Sequence, residues 1–302
     1  MTLNENASID TSQVRDVGSG GGGGLRGLPI GGGGGIIGLI VLALMIAGGV
    51  VGGNSLFGGD DSGQPVDCST ANPDRLSNVK CRDALYVNSI QNYWQQALPQ
   101  TFGTGYEKAV TTYFSGQVNT GCGAADSGVG PFYCPNDDTV YLDTAFWDQL
   151  AQQFGAPGEF AQPYVLAHEY GHHVQDLLGT EGDVQRQMQR DPANQNALSV
   201  KLELQADCYA GVWANHATET KSSGGQPIFK SLTDQDIQEG LDTAKQIGDD
   251  TLQQRSGQQI NPAEFTHGTS ADRQKWFKRG FDSGDPAKSC DTFADGAVVA
   301  GD

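Results

Sequence analysis

Positive charge is scarce in this chain of 302 residues. Its 18 Lys and Arg stand against 36 Asp and Glu, for a net charge of −18 and a pI near 4.4. No basic stripe exists, which argues against nucleic acid as a partner. The acidity is spread out, so it reads as a solvated surface and implies no substrate preference. Cys-x-x-Cys pairs are also missing among Cys68, Cys81, Cys122, Cys134, Cys208 and Cys290. That argues against a cysteine zinc site and a thioredoxin-type motif. A third absence is positional: no Lys or Arg occurs between Arg26 and Arg75.

What fills that gap is glycine and aliphatic residues. Of the 43 glycines, 19 lie between Gly18 and Gly59. Residues 1–32 therefore read as a disordered, glycine-rich cytoplasmic segment. Ile36 to Val51 carries no charge. Its helical length of about 24 Å falls short of a bilayer core of about 30 Å, and extension into the flanking glycines, residues 33–53, closes the gap. With Arg15 and Arg26 before it and no cation after it until Arg75, this transmembrane helix puts the N-terminus in the cytoplasm and the body outside. Two competing readings are a cleaved signal peptide, with Ala47, Gly48 and Gly49 after the apolar core, and a buried core helix. Residues 54–73 read as a linker and 74–302 as one folded domain.

An even cysteine count beyond an apolar segment suggests disulfides outside the cytoplasm. Cys68–Cys81 and Cys122–Cys134 would each close a short loop, worth about 3 kcal/mol. Cys208 and Cys290 remain as a third bridge or as free thiols; spacing alone does not fix the pairing.

In the folded part, apolar spacing predicts a helix over Val79–Leu98, ended by Pro99. Residues 109–114 and 138–143 read as strands, and 145–154 as a short helix. Further helices are predicted over 197–217, over 233–247 with Thr233 as cap, and to about Phe281 with Ser270 as cap. Between them lies Ala161 to Leu178, a predicted helix that holds His168-Glu169-Tyr170-Gly171-His172. Four residues advance a helix by about 400°, so both histidines share one face and can grip one Zn²⁺. Glu169 is placed to reach a water on that metal. Gly171 costs about 1 kcal/mol relative to Ala in a helix, which points to close packing there.

Catalytic zinc takes three protein ligands. Glu203, in Glu-Leu-Gln-Ala-Asp207, is the candidate third. Asp207 sits one turn later on the same face and can accept from the free N–H of a ligating histidine. A solvated acidic pair is the plain alternative, but Leu202, Leu204, Ala206, Val212 and Trp213 surround them, and buried carboxylates without a cation are costly.

These residues carry a family resemblance. The chain resembles the putative neutral zinc metallopeptidases, a family of bacterial membrane-anchored proteins, through residues 120–123, 130–134, 140–143, 168–175, 203–213 and 266–273. HExxH followed by ExxxD is also similar to the gluzincins. The resemblance implies one Zn²⁺ per chain on His168, His172 and Glu203, with Asp207 behind a ligand. It also implies metal-assisted hydrolysis of a peptide or protein substrate, with Glu169 as general base. The fold expected is α+β and mostly helical: a zincin-like catalytic domain with a small sheet beside the HExxH helix, preceded by one transmembrane helix. In zincins an edge strand pairs with extended substrate; Val140, Tyr141 and Leu142 are placed for that, or form an ordinary buried strand. An oxyanion donor is also needed. His267 is the first candidate and Arg273 the second, and a structural loop histidine is the alternative for His267. His173 reads as standing behind the ligands or on the surface, and His216 as a surface residue. A rival function is a catalytically silent zinc-bearing binding or scaffold protein of the envelope.

Overall fold

The chain opens with two strands, β1 (Thr2–Leu3) and β2 (Val14–Ser19), in a stretch whose composition predicts disorder. The computed structural model describes residues 1–19, 67–152, 154–156 and 158–297. The reading of residues 1–32 as disordered is thus corrected as far as residue 19. Residues 20–32, the 33–53 stretch and linker residues 54–66 lie outside the described residues. Partners far along the sequence order the first 19 residues. β1 runs antiparallel to β8 (Phe229–Ser231), and β2 lies parallel to β3 (Val110–Ser115). The buried Arg75 guanidinium donates to the carbonyls of Glu5 and Ala7, both at 2.7 Å, and Gln91 donates to Gln13 at 2.9 Å.

Among the described residues, no helix is long and apolar enough to cross a membrane. This overturns the expected transmembrane helix, the membrane partner and the single-pass placement with a cytoplasmic N-terminus and an outside domain. The packing supplies a physical reason. One crossing between residues 19 and 67 would put the two stretches on opposite sides of a bilayer, whereas β1, β2 and Arg75 tie them into one body.

The chain is mostly helical with small sheets. α1 (Val79–Phe102) starts at Asn78, whose side chain accepts from the N–H groups of Lys80 and Cys81, donors that a helix start leaves unpaired. It runs past Pro99 by one turn to Gly103, whose left-handed φ of 71° closes it. A hairpin follows, β4 (Gln117–Thr120) with β5 (Gly123–Asp126). Then come β6 (Phe132–Cys134), β7 (Thr139–Asp143), α2 (Ala145–Gln152), α3 (Ala161–Leu177) and α4 (Thr180–Arg190). α5 (Gln195–His216) precedes β8, and α6 (Asp234–Gln246), α7 (Asp249–Arg255), α8 (Ser270–Ser283) and α9 (Pro286–Ser289) follow it. Thr233 caps α6 in a reciprocal capping box with Asp236. α8 is capped by Thr269, one residue before the expected Ser270.

The main sheet has the order β2-β3-β7-β6, parallel except for the antiparallel β6. This corrects the expected substrate edge at Val140, Tyr141 and Leu142. β7 is paired on both sides and buried throughout, so its backbone groups are committed. The edge strands are β2 and β6, and β6 is the one that lies against α3.

α3, α5 and α1 pack around a core with Tyr164, Leu166, Leu204 and Trp213 at its centre. α3 meets α5 closely at Gly171, where a Cβ would stand 2.9 Å from the Ala206 Cα. α5 meets α8 more closely still. A Cβ on Gly211 would lie 2.0 Å from the Phe277 carbonyl oxygen, and one on Gly280 would lie 2.0 Å from that of Cys208. These three glycines bring the site-bearing helices together. Three disulfides complete the frame: Cys68–Cys81, Cys122–Cys134 and Cys208–Cys290.

Candidate metal centre

α3 carries His168, Glu169 and His172, and α5 carries Glu203 and Asp207. Helical spacing puts each set on one face, and the Gly171 contact turns the two faces together. One nitrogen from each of the two histidines and one Glu203 oxygen all lie within 4.8 Å of one another. Nε2 of His168 is 3.0 Å from one Glu203 oxygen, and Nε2 of His172 is 3.5 Å from the other. Donors around a tetrahedral zinc at 2.0–2.1 Å stand about 3.3 Å apart, so the donor set fits that ion.

The far sides of both rings are held. His168 Nδ1 donates to Asp207 at 2.9 Å, which leaves Nε2 for a metal. His172 Nδ1 donates to the Gln175 side-chain oxygen at 2.9 Å, and Gln175 in turn donates to the Leu202 carbonyl and to Gln205. Asp207, fully buried, also accepts from Tyr164 Oη at 2.6 Å and from Arg273 Nε and Nη2 at 2.8 and 3.1 Å. Burial pushes the Asp207 carboxyl up, but Arg273 and His168 override it and hold it at about 2. Burial likewise pushes Glu203 up, and His172, His267 and His168 bring it well below the usual range. The His172 imidazole is pushed down by burial and raised to about 10 by Glu203. A metal must therefore displace protons to bind, so affinity rises with pH.

Glu169 is 8 % exposed and accepts from the Tyr133 backbone N–H at 3.0 Å. Burial raises its carboxyl above the usual range, against the pull of both imidazoles. Tyr133 belongs to β6, so the sheet edge touches the residue placed to move protons. Its hydroxyl is tied to Asp138, Asp176 and His173.

His267 is 5 % exposed, and a Cβ on the adjacent Gly268 would stand 3.2 Å from Leu204 of α5, which places this loop against the helix that carries Glu203. Asp249 accepts from its Nδ1 at 3.1 Å and from the backbone N–H groups of Thr266, His267 and Gly268, which fixes the loop. Arg273, the second oxyanion candidate, is committed to Asp207. His173 is 1 % exposed and bonded to Tyr133 and to the Glu107 carbonyl, which rules out the surface reading; neither bond goes to a ligating residue. His216 is half-buried, stacked on Tyr93 and bonded to Glu219 and the Gly284 carbonyl. Sequence reasoning missed Tyr133, Tyr164, Gln175 and Asp249. Gln175 left a signal, three residues after His172 on α3, and so did Tyr164, four residues before His168 on the same helix face; Tyr133 acts through a backbone group and Asp249 from a distant element.

Two imidazoles and a carboxylate converging from two helices are the donors of a mononuclear metal site, and with Glu169 beside them they suggest a metal-dependent hydrolase. Residues 3–293 match the family described as "Putative neutral zinc metallopeptidase", and the chain belongs to that family. It is 46 % identical over 298 residues to the uncharacterized protein Rv2575 of Mycobacterium tuberculosis (strain H37Rv), covering 97 % of this chain and 98 % of that one. It is 43 % identical over 277 residues to the uncharacterized protein YpfJ of Escherichia coli (strain K12), covering 90 % of each. No solved structure matches.

Proposed function

We propose that the chain is a zinc metallopeptidase, holding one Zn²⁺ on His168, His172 and Glu203 and cleaving peptide bonds with Glu169 as general base. The observation that carries this reading is the convergence of those three donors from α3 and α5 beside Glu169, whose carboxylate accepts from the β6 edge. When bound, zinc supplies Lewis acidity toward water and the scissile carbonyl. Asp207 and Gln175 hold the two imidazoles in the tautomer that presents Nε2. Glu169 takes the proton of the attacking water and passes it to the leaving amine. Burial raises its carboxyl above the usual range, which favours its holding the proton between the two transfers. The β6 edge takes extended substrate backbone. His267, oriented by Asp249, donates to the developing oxyanion.

Glu169→Gln tests the assignment. The variant is expected to keep one zinc per chain and to lose about 10²–10⁴-fold in kcat on a cleaved peptide. Wild-type protein without stoichiometric zinc, or a fully active Glu169→Gln, would sink the reading. A zinc-loaded wild type that cleaves nothing would leave the silent binding protein in its place.

A further inference from the structure

A run of buried amides leads away from His172 to the C-terminal segment. His172 Nδ1 donates to the Gln175 side-chain oxygen at 2.9 Å. The Gln175 NH₂ donates to the Leu202 carbonyl at 2.7 Å and to the Gln205 side-chain oxygen at 3.1 Å. The Gln205 NH₂ donates in turn to the Cys290 carbonyl at 2.9 Å. Gln175 is 0 % exposed and Gln205 6 %, so water is poorly placed to replace any of these bonds.

The direction of the run is forced from its far end. A backbone carbonyl can only accept, so Cys290 takes the NH₂ end of Gln205. That turns Gln205 Oε1 toward Gln175, which must meet it with NH₂, and the Leu202 carbonyl requires the same. Gln175 Oε1 is left for His172, whose Nδ1 then carries a hydrogen while Nε2 faces Glu203. Reversing either amide would set oxygen against oxygen. The two carbonyls differ in how they are held. Leu202 lies within α5 and is fixed by the helix. Cys290 lies just past α9, and its disulfide to Cys208 ties it to α5. Cys208 is three residues beyond Gln205, so bridge and amide reach the same segment from neighbouring positions on one helix.

We propose that Gln205 is a positioning residue for His172, and that the Cys208–Cys290 disulfide, by holding the Cys290 carbonyl, is a condition for tight zinc binding although neither sulfur is a ligand. The effect on affinity rests on the zinc reading of the site; the orientation of Gln175 does not. Without Gln205, one Gln175 N–H is left unpaired in a dry interior. That favours other orientations of the Gln175 amide, in which His172 loses its acceptor.

Zinc affinity of the full chain, measured by chelator competition, gives the first test. Gln205→Met and Cys208→Ser/Cys290→Ser should each weaken binding about 10-fold, the low end for partners behind a ligating histidine, because Leu202 still holds Gln175. Combined, they should lose little more than either alone. Gln205→Glu, which still presents an oxygen to Gln175, should recover most of the affinity. Two controls should bind as wild type does. Ser89→Ala removes a buried bond to Trp213 of α5 away from the run, and Cys68→Ser/Cys81→Ser removes a different disulfide. Cobalt-substituted protein separates the two histidines, since paramagnetic NMR resolves the N–H proton of each. Gln205→Met should speed solvent exchange at His172 and leave His168, held by Asp207, unchanged. Wild-type affinity in Gln205→Met, an equal loss in Ser89→Ala, or equal changes at both histidine protons would overturn the proposal. If the wild type takes up no zinc, the metal reading falls and hydrogen exchange of the Gln175 side-chain amide in metal-free protein judges the run. It should quicken in Gln205→Met and in Cys208→Ser/Cys290→Ser but not in Ser89→Ala, and no change in the first two also overturns the proposal.

Discussion

Replacing Asp207 by Asn tests the buried network behind His168. Asp207 is fully buried, and among the described residues Arg273, at 1 % exposure, forms no other salt bridge. The amide keeps the shape but removes the charge, and its NH₂ must face one of three donors: Tyr164, His168 or Arg273. Breaking a buried pair by removing one partner costs about 3–5 kcal/mol, because an uncompensated charge is left inside. That loss should appear in urea unfolding at pH 7 in excess chelator, since it does not depend on zinc. A separate effect should appear in chelator competition: zinc affinity should fall about 10–100-fold as His168 loses its orienting acceptor. The double variant Asp207→Asn/Arg273→Met should cost less than the sum of the singles by about 2 kcal/mol or more. Wild-type stability has a matching pH signature. The folded carboxyl lies at about 2, below its ordinary value, so this contribution is complete above pH ~4 and is lost as pH falls toward 2, by about 2 kcal/mol. An Asp207→Asn protein within about 0.5 kcal/mol of wild type in chelator would refute the reasoning.

Three other outcomes are expected. Burial raises Asp83 to about 7, and one of its oxygens has no partner while the other accepts from Trp147. The fold then binds that proton more tightly than the unfolded chain does, so stability should fall between pH ~4 and ~7, approaching 4 kcal/mol; Asp83→Asn should flatten unfolding free energies measured at pH 5 and pH 8. Gly211→Ala should cost at least about 3 kcal/mol, because the new Cβ meets the Phe277 backbone, whereas Gly182→Ala, facing only the tip of Arg186, should gain up to about 1 kcal/mol; paired denaturation curves decide. Removing Cys208–Cys290 by a double Ser substitution should cost about 4.5 kcal/mol in calorimetry for a separation of 82 residues, more than losing Cys122–Cys134 at 12.

The site was legible wherever a helix set the spacing. His168 and His172, and Glu203 and Asp207, are each four residues apart, and 3.6 residues per turn fixes their faces without any tertiary information. Gly171 likewise signalled a close crossing, and Ala206 fills that place. The edge strand was not legible. β6 is three residues long, too short to show alternation, and Tyr133 reaches Glu169 through a backbone N–H that any residue except proline possesses. β7 has the stronger strand pattern because it is interior, and so it drew the edge assignment wrongly. Residues 1–19 were illegible for a different reason. They have little apolar periodicity and are ordered by backbone pairing and by the guanidinium of Arg75, 70 residues beyond the Glu5 carbonyl it holds.

That pairing also sets an order of events during synthesis. Thr2 pairs with Ser231, so once β1 is synthesised it has no partner until 229 further residues are made. At about 5–20 residues per second the wait is roughly 10–50 s. A strand kept waiting that long would be an aggregation hazard if it were apolar. The polar sequence from Thr2 to Ser12 is suited to delay: it can remain hydrated beside a growing chain and dock last, closing the sheet and the β8 edge once the rest has formed.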